Sequence, residues 1–234
     1  MAARNYITRR LVQLAAAATL FFCWYDSSQP PFPSKPERLE QRISHEAAVP
    51  NGKADKYAVL ISGNTESRHR VNLSLAYQIL LENGFRKDNI YILDYDGKEV
   101  FYYPVDDFAG KECIKMVFGH LRKKIDEQDL LFVYATDHGK RISKITRGDD
   151  GNKTEKLSAL SLPGPDIDQK EFAKYLDGIN PRKGIFLFDQ CYGGGFAEEI
   201  GKERYIAVAS AKPYQGGYGK TNNTFGGYFM LAFR

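Results

Sequence analysis

Two short segments of the chain carry residues that could do covalent chemistry. Thr136-Asp137-His138-Gly139 puts an imidazole beside a glycine, and Asp189-Gln190-Cys191-Tyr192-Gly193-Gly194-Gly195 puts a thiol ahead of three glycines. A thiol attacks a carbonyl as its thiolate, and a free cysteine is only slightly ionised at neutral pH. A neighbouring imidazole can take or hold that proton, and such acid–base help typically contributes about 10²–10⁴ in rate. The glycines after Cys191 let a substrate backbone come close. They also leave backbone N–H groups near a helix start, where an oxyanion can be held. Each element alone has a plainer reading: a lone cysteine as a small buried hydrophobe, a lone histidine as structural, Asp137 as the cap of a turn. The conjunction matters more, because both segments close an apolar run.

The surrounding pattern alternates strand and helix. Tyr57–Ser62 (YAVLIS) is a short apolar run ending at Gly63, as expected of a buried parallel strand. Val71–Asn83 follows at helical spacing, with Leu75, Ala76, Ile79 and Leu80 on one face and Asn83-Gly84 as the stop. Ile90–Leu93 is a second strand. Ile114, Val117, Phe118, Leu121 and Ile125 form the clearest helical stripe. Leu130–Ala135 is a third strand, Asp168–Leu176 a helix, Gly184–Phe188 a fourth strand and Tyr205–Ser210 a fifth. Lys140–Leu162 is polar and punctuated by glycine, and reads as a loop with some hairpin. Such alternation implies an α/β domain with a mostly parallel sheet and helices on both faces. Ligands bind outside the carboxyl ends of the strands in such sheets. That rule selects three loops: Gly63–Arg70, Thr136–Lys140 and Asp189–Gly195.

Composition narrows the function. Residues 1–56 hold eight Lys/Arg and five Asp/Glu, and the remaining 178 residues hold 25 against 24. The globular part is close to neutral, so nucleic acid is not an expected partner. Neither glycine-rich nucleotide-binding motif occurs. Cys23, Cys113 and Cys191 fit no zinc or redox spacing, and no metal or other cofactor is expected. Arg4, Arg9 and Arg10 precede an apolar run from Leu11 to Tyr25, so residues 1–26 read as a signal peptide or signal anchor, a possible membrane tether, with export as the expected destination. A buried apolar helix is the other reading. Residues 27–56, with Pro30, Pro31, Pro33 and Pro36, read as a disordered linker. Residues 57–234 remain as the folded domain.

TDHG at 136–139 resembles the catalytic-histidine motif of legumain, and DQCYGGGF at 189–196 resembles the nucleophile motif of caspases, metacaspases and legumains. YAVLISGN, the Arg68-His69 pair, LAYQILLENGF and NIYILDYDG resemble legumain more specifically, as does the loop Ala211–Tyr218. The resemblance implies a caspase-like three-layer sandwich. It also implies a cysteine endopeptidase acting on peptide or protein substrates after Asn or Asp. Cys191 would be the nucleophile and His138 would protonate the leaving amine. The N–H groups of Gly139 and Cys191 would hold the oxyanion. Arg68, His69, Asp189, Gly216 and Gly217 would bind substrate, with Arg68 and Asp189 satisfying the two ends of an asparagine amide. Glu66 stands where the family has an asparagine, Gly216-Gly217 where it has paired serines, and Asp189 where it has a glutamate.

Three alternatives stay open on the sequence. Asp189 acting alone would favour cleavage after Lys or Arg, in the manner of metacaspases. A legumain-like transamidase would use the same residues for aminolysis. A catalytically silent binding module would keep the fold without the reaction.

Overall fold

The computed structural model describes residues 35–46, 49–148, 151–201, 204–217 and 225–233. The expected signal or anchor segment lies outside them. Among the described residues, no helix is long and apolar enough to cross a membrane.

The elements in chain order are α1 (Glu37–His45), β1 (Lys56–Ser62), α2 (Ser67–Glu82), β2 (Ile90–Asp94), α3 (Lys111–Lys124), β3 (Leu130–Thr136), β4 (Gly139–Gly148), β5 (Gly151–Leu160), β6 (Ile167–Asp168), α4 (Gln169–Tyr175), β7 (Lys183–Asp189), α5 (Gly194–Ile200), β8 (Tyr205–Ala209) and α6 (Phe225–Phe233). Five strands form one sheet in the order β2-β1-β3-β7-β8, and every neighbouring pair in it is parallel.

Strand alternation divides the core between the two faces of this sheet. Val59, Ile61, Val133, Ala135, Phe186 and Phe188 face α3, α4 and α5, where Ile114, Val117, Phe172 and Phe196 are buried. Ala58, Leu60, Phe132, Tyr134 and Leu187 face α2 and α6, where Leu73, Ala76, Leu80 and Met230 are buried. Apolar side chains on both faces make the strands near-continuous hydrophobic runs, as covered parallel sheets require. The result is a three-layer α/β sandwich.

The chain leaves β1 for β2 on one side and later returns to β3 on the other. A crevice forms where the strand order reverses in this way. The register makes that edge level: Ser62 pairs with Thr136, and Thr136 pairs with Asp189. The three loops selected on sequence grounds therefore start side by side.

Two expectations need correction. The stretch from Lys140 to Leu162 holds a regular hairpin, with ten register pairs from Gly139↔Leu160 to Gly148↔Gly151, and β6 extends it to three strands. Its strands are polar along much of their length, so period-two alternation is faint in the sequence. Leu157, Ala159 and Leu160 anchor it in the core.

The second correction falls within residues 27–56, expected to be a disordered linker. Glu37–His45 is a helix seated on the domain. Leu39 is fully buried, and burying one leucine side chain contributes about 1.5–3 kcal/mol. Arg42 stacks 4.1 Å from the Tyr91 ring centroid and donates to Asp106 and to the carbonyls of Ile90 and Asp88. Glu46 accepts from Arg42 Nε, Tyr91 Oη and Lys124 Nζ at 2.9, 2.6 and 2.7 Å, and lies 3.1 Å from His120 Nε2. The segment has too little apolar surface to order alone, and it folds by borrowing the domain's.

Burial opposes the ionised form of Glu46, but the hydrogen bonds from His120, Lys124, Tyr91 and Arg42 outweigh it and hold the carboxyl well below its ordinary value of 4.5. A carboxylate with a depressed folded-state pKa stabilises fully above its unfolded value and loses that contribution as pH falls. Glu46→Ala is therefore expected to cost about 3 kcal/mol at neutral pH, because it leaves the partly buried Arg42 and Lys124 without their carboxylate. Urea unfolding at pH 7 and at pH 3 checks this. The gap between wild type and variant shrinks at pH 3, and equal midpoints at pH 7 would contradict the role given to Glu46.

Candidate active site

The site is built from the three loops at the level edge. The loop after β1 is shaped by Asn64, whose Oδ1 accepts from Glu66 N–H at 2.8 Å. It leads straight into α2, so Glu66, Arg68 and His69 sit on the first turn of that helix. Arg70 Nε donates to Asp94 Oδ2 at 3.2 Å, and Tyr103 Oη donates to the same oxygen at 3.0 Å. The first of these bonds ties the start of α2 to the end of β2.

The loop after β3 carries Asp137, His138 and Gly139. His138 is about half exposed, and its Nε2 lies 3.0 Å from Glu66 Oε1. Glu66 Oε2 lies 2.8 Å from Arg68 Nε. The hydrogen bond with His138, and next the charge of Arg68, hold the Glu66 carboxyl below its ordinary value against partial burial. His69 is buried, with Nδ1 2.7 Å from Thr136 Oγ1. Desolvation, reinforced by the nearby Arg68 charge, pushes its pKa down to about 4, so the ring is neutral near pH 7. The two imidazoles lie edge to face with centroids 6.0 Å apart. Asp137 is buried, and desolvation raises its pKa to about 7. Its Oδ1 accepts from the N–H of His138.

The loop after β7 turns sharply at the cysteine. Tyr192 has φ 61°, the left-handed region in which a bulky side chain is strained. Three further bonds hold the turn against that strain. Tyr192 N–H donates to Gln215 O at 2.9 Å and Gly194 N–H donates to Ala211 O at 2.7 Å. Gly217 N–H donates to Cys191 Sγ at 3.2 Å. Cys191 is partly exposed, whereas Cys113 is buried, and desolvation raises the Cys113 thiol far above its ordinary value.

The β3 and β7 loops touch through their backbones. A side chain at Gly139 would place its Cβ 1.8 Å from the Cys191 carbonyl oxygen. Only glycine fits there, and the residue next to His138 is thereby pressed against the cysteine.

The structure thus brings together His138, Gly139, Cys191, Gly216 and Gly217, and places Arg68 and His69 one loop away. Two residues expected to bind substrate are buried: His69 at 2% exposure and Asp189 at 7%. His69 supports the loop through Thr136. Asp189 Oδ2 accepts from Tyr134 Oη at 3.3 Å and from Gly226 N–H at 3.0 Å, at the start of α6. Tyr218 lies outside the described residues. Glu66 was visible in the sequence only as a departure from the legumain pattern. Its contact with both His138 and Arg68 appears once the first and third strands are neighbours. Among the described residues, Glu66, His69 and His138 form a cluster of potential metal-binding atoms.

No curated protein matches the chain. The model of the peptidase C13 family matches residues 110–234, more than half of the chain, from the start of α3 through both the histidine and the cysteine loops. That match and the parallel, doubly covered sheet agree. The chain belongs to the peptidase C13 family, the legumain-type cysteine peptidases of caspase-like fold, and is a hydrolase of peptide bonds in peptide or protein substrates.

Proposed function

We propose that the chain is an endopeptidase in which Cys191 and His138 form the catalytic dyad and cleavage follows Asn or Asp. The observation that carries this reading is the backbone contact of Gly139 with Cys191 at the level ends of β3 and β7. It sets the imidazole loop against the thiol loop at one edge of the sheet.

In this mechanism the Cys191 thiolate attacks the scissile carbonyl carbon and the C=O π bond opens to an oxyanion. The N–H groups of Gly139 and Cys191 stabilise that charge. The intermediate collapses as the C–N bond breaks and His138 gives its proton to the departing amine. Water then attacks the thioester, giving a proton to the deprotonated His138, the C–S bond breaks to return the Cys191 thiolate, and the acid product leaves. Glu66 is a positioning residue: its Oε1 fixes the orientation of the His138 ring. The Gly217 N–H donates to Sγ and helps hold the sulfur in place.

Arg68, partly exposed beside the crevice, supplies the positive charge for an aspartate or the donors for an asparagine oxygen. The Asp189 carboxylate already accepts from Tyr134 and Gly226, and this disfavours its service as the anion of a Lys/Arg pocket. We read residues 1–26 as an export signal or anchor, which N-terminal sequencing of the mature protein tests.

Turnover of fluorogenic peptides ending in Asn, Asp, Lys or Arg tests the scheme. Cys191→Ala is expected to abolish turnover, and His138→Ala to reduce it by about 10²–10⁴-fold. Glu66→Gln is expected to lower kcat by roughly 10²-fold with KM unchanged, the size of effect that a misplaced catalytic group produces. Undiminished turnover by Cys191→Ala would remove it as the nucleophile, and a strict preference for Lys or Arg would remove the Arg68 pocket. Gly139→Ala forces the two loops apart and is expected to lose activity while the fold, followed by circular dichroism, persists. An active Gly139→Ala variant would show that the backbone contact is dispensable.

A further inference from the structure

Glu66, His69 and His138 offer more than the peptidase scheme uses. One potential ligand atom from each lies within 4.8 Å of the other two. Ligands about 2.1 Å from a tetrahedral zinc ion lie about 3.4 Å from one another. The widest gap to close is therefore roughly 1.4 Å. The Glu66–His138 pair is already in range at 3.0 Å, and both side chains are about half exposed. A carboxylate with two imidazoles is a donor set that zinc takes readily, leaving one position open.

His69 supplies the independent observation. Its side chain is 2% exposed, and its Nε2 is buried with no hydrogen-bond partner among the described residues. Leaving such a group unpaired is unfavourable. Its other nitrogen is held by Thr136 Oγ1 at 2.7 Å, the arrangement that orients imidazoles bound to metals. The ring is therefore held in place, desolvated and short of one partner, with its centroid 6.0 Å from that of His138.

We propose that Glu66, His69 and His138 form a reversible zinc site that, when filled, takes His138 out of use as the partner of Cys191. Arg68 beside Glu66 Oε2 and the positive end of α2 oppose a cation there, so binding is weak compared with a closed structural zinc site. Weak binding suits a brake better than a permanent cofactor. Zinc at Glu66 Oε1 leaves the Arg68 contact on Oε2 in place. The binding half of the proposal stands on these three residues. The inhibition half rests on the role proposed above for His138.

The test uses the full chain carrying Cys191→Ala, stripped of metal and titrated with zinc chloride against a chromophoric zinc indicator. A single ion bound per chain with micromolar affinity is expected. Glu66→Gln and, separately, His138→Asn should weaken it about tenfold or more, since even supporting residues around metal ligands cost that much when lost. Absence of binding below millimolar zinc overturns the proposal. So does affinity unmoved by Glu66→Gln, or binding that needs the Cys191 thiol. In wild type, zinc is expected to suppress peptide turnover, with EDTA restoring it, and Glu66→Gln to raise the inhibitory concentration by the factor seen in the titration. If wild type proves inactive, the peptidase scheme fails while the titration still decides the site.

Discussion

The register of three parallel strands governs the rest of the molecule. Ser62, Thr136 and Asp189 end β1, β3 and β7 at one level, and every group with chemical potential sits within a few residues of that level. The register is not free to slip. A shift of one residue would turn each strand's side chains to the opposite face. Tyr134 and Leu187 would then face the α3–α5 layer, and Val133 and Phe186 the α2–α6 layer, against a core already filled to suit the present arrangement. Hydrophobic packing thus fixes where the histidine and cysteine loops begin. The steric demand at Gly139 fixes how closely they meet.

Most of this architecture was legible in the sequence, for identifiable reasons. Covered parallel strands such as YAVLIS and LLFVYA are continuous apolar runs. The Ile114–Val117–Phe118–Leu121 stripe of α3 is likewise unambiguous, and all four side chains are buried. The loops bearing His138 and Cys191 follow directly from those strands. The β4–β5 hairpin was faint because much of its length is polar, so its alternation carries little apolar signal. Helix α1 was hidden by the prolines before it and by its charge. Its stability comes from partners 45 and more residues away, such as Tyr91, Asp106 and Lys124, and no local window contains them.

The same reasoning separates the legible from the illegible parts of the site. Cys191 and His138 announce themselves through adjacent glycines and preceding strands. Glu66 and His69 do not, because their partners His138 and Thr136 are 72 and 67 residues distant. No spacing rule for metal or catalytic motifs spans such a gap. Only strand order places β1 next to β3 and so brings these groups together. Asp189 shows the converse case. Its position two residues before the cysteine suggests a pocket anion, yet its carboxylate meets Tyr134 and the start of α6 from within the core.

The central claim is that Cys191 is the activated thiol of one crevice shared with His138. Intact-mass analysis and peptide mapping after reaction of the folded protein with an electrophilic peptide ending in Asn test it most directly. The account predicts a single adduct on Cys191, none on the buried Cys113, and slower labelling when His138 is replaced by alanine. An unreactive Cys191 in the folded chain, or a labelling rate indifferent to residue 138, would contradict it.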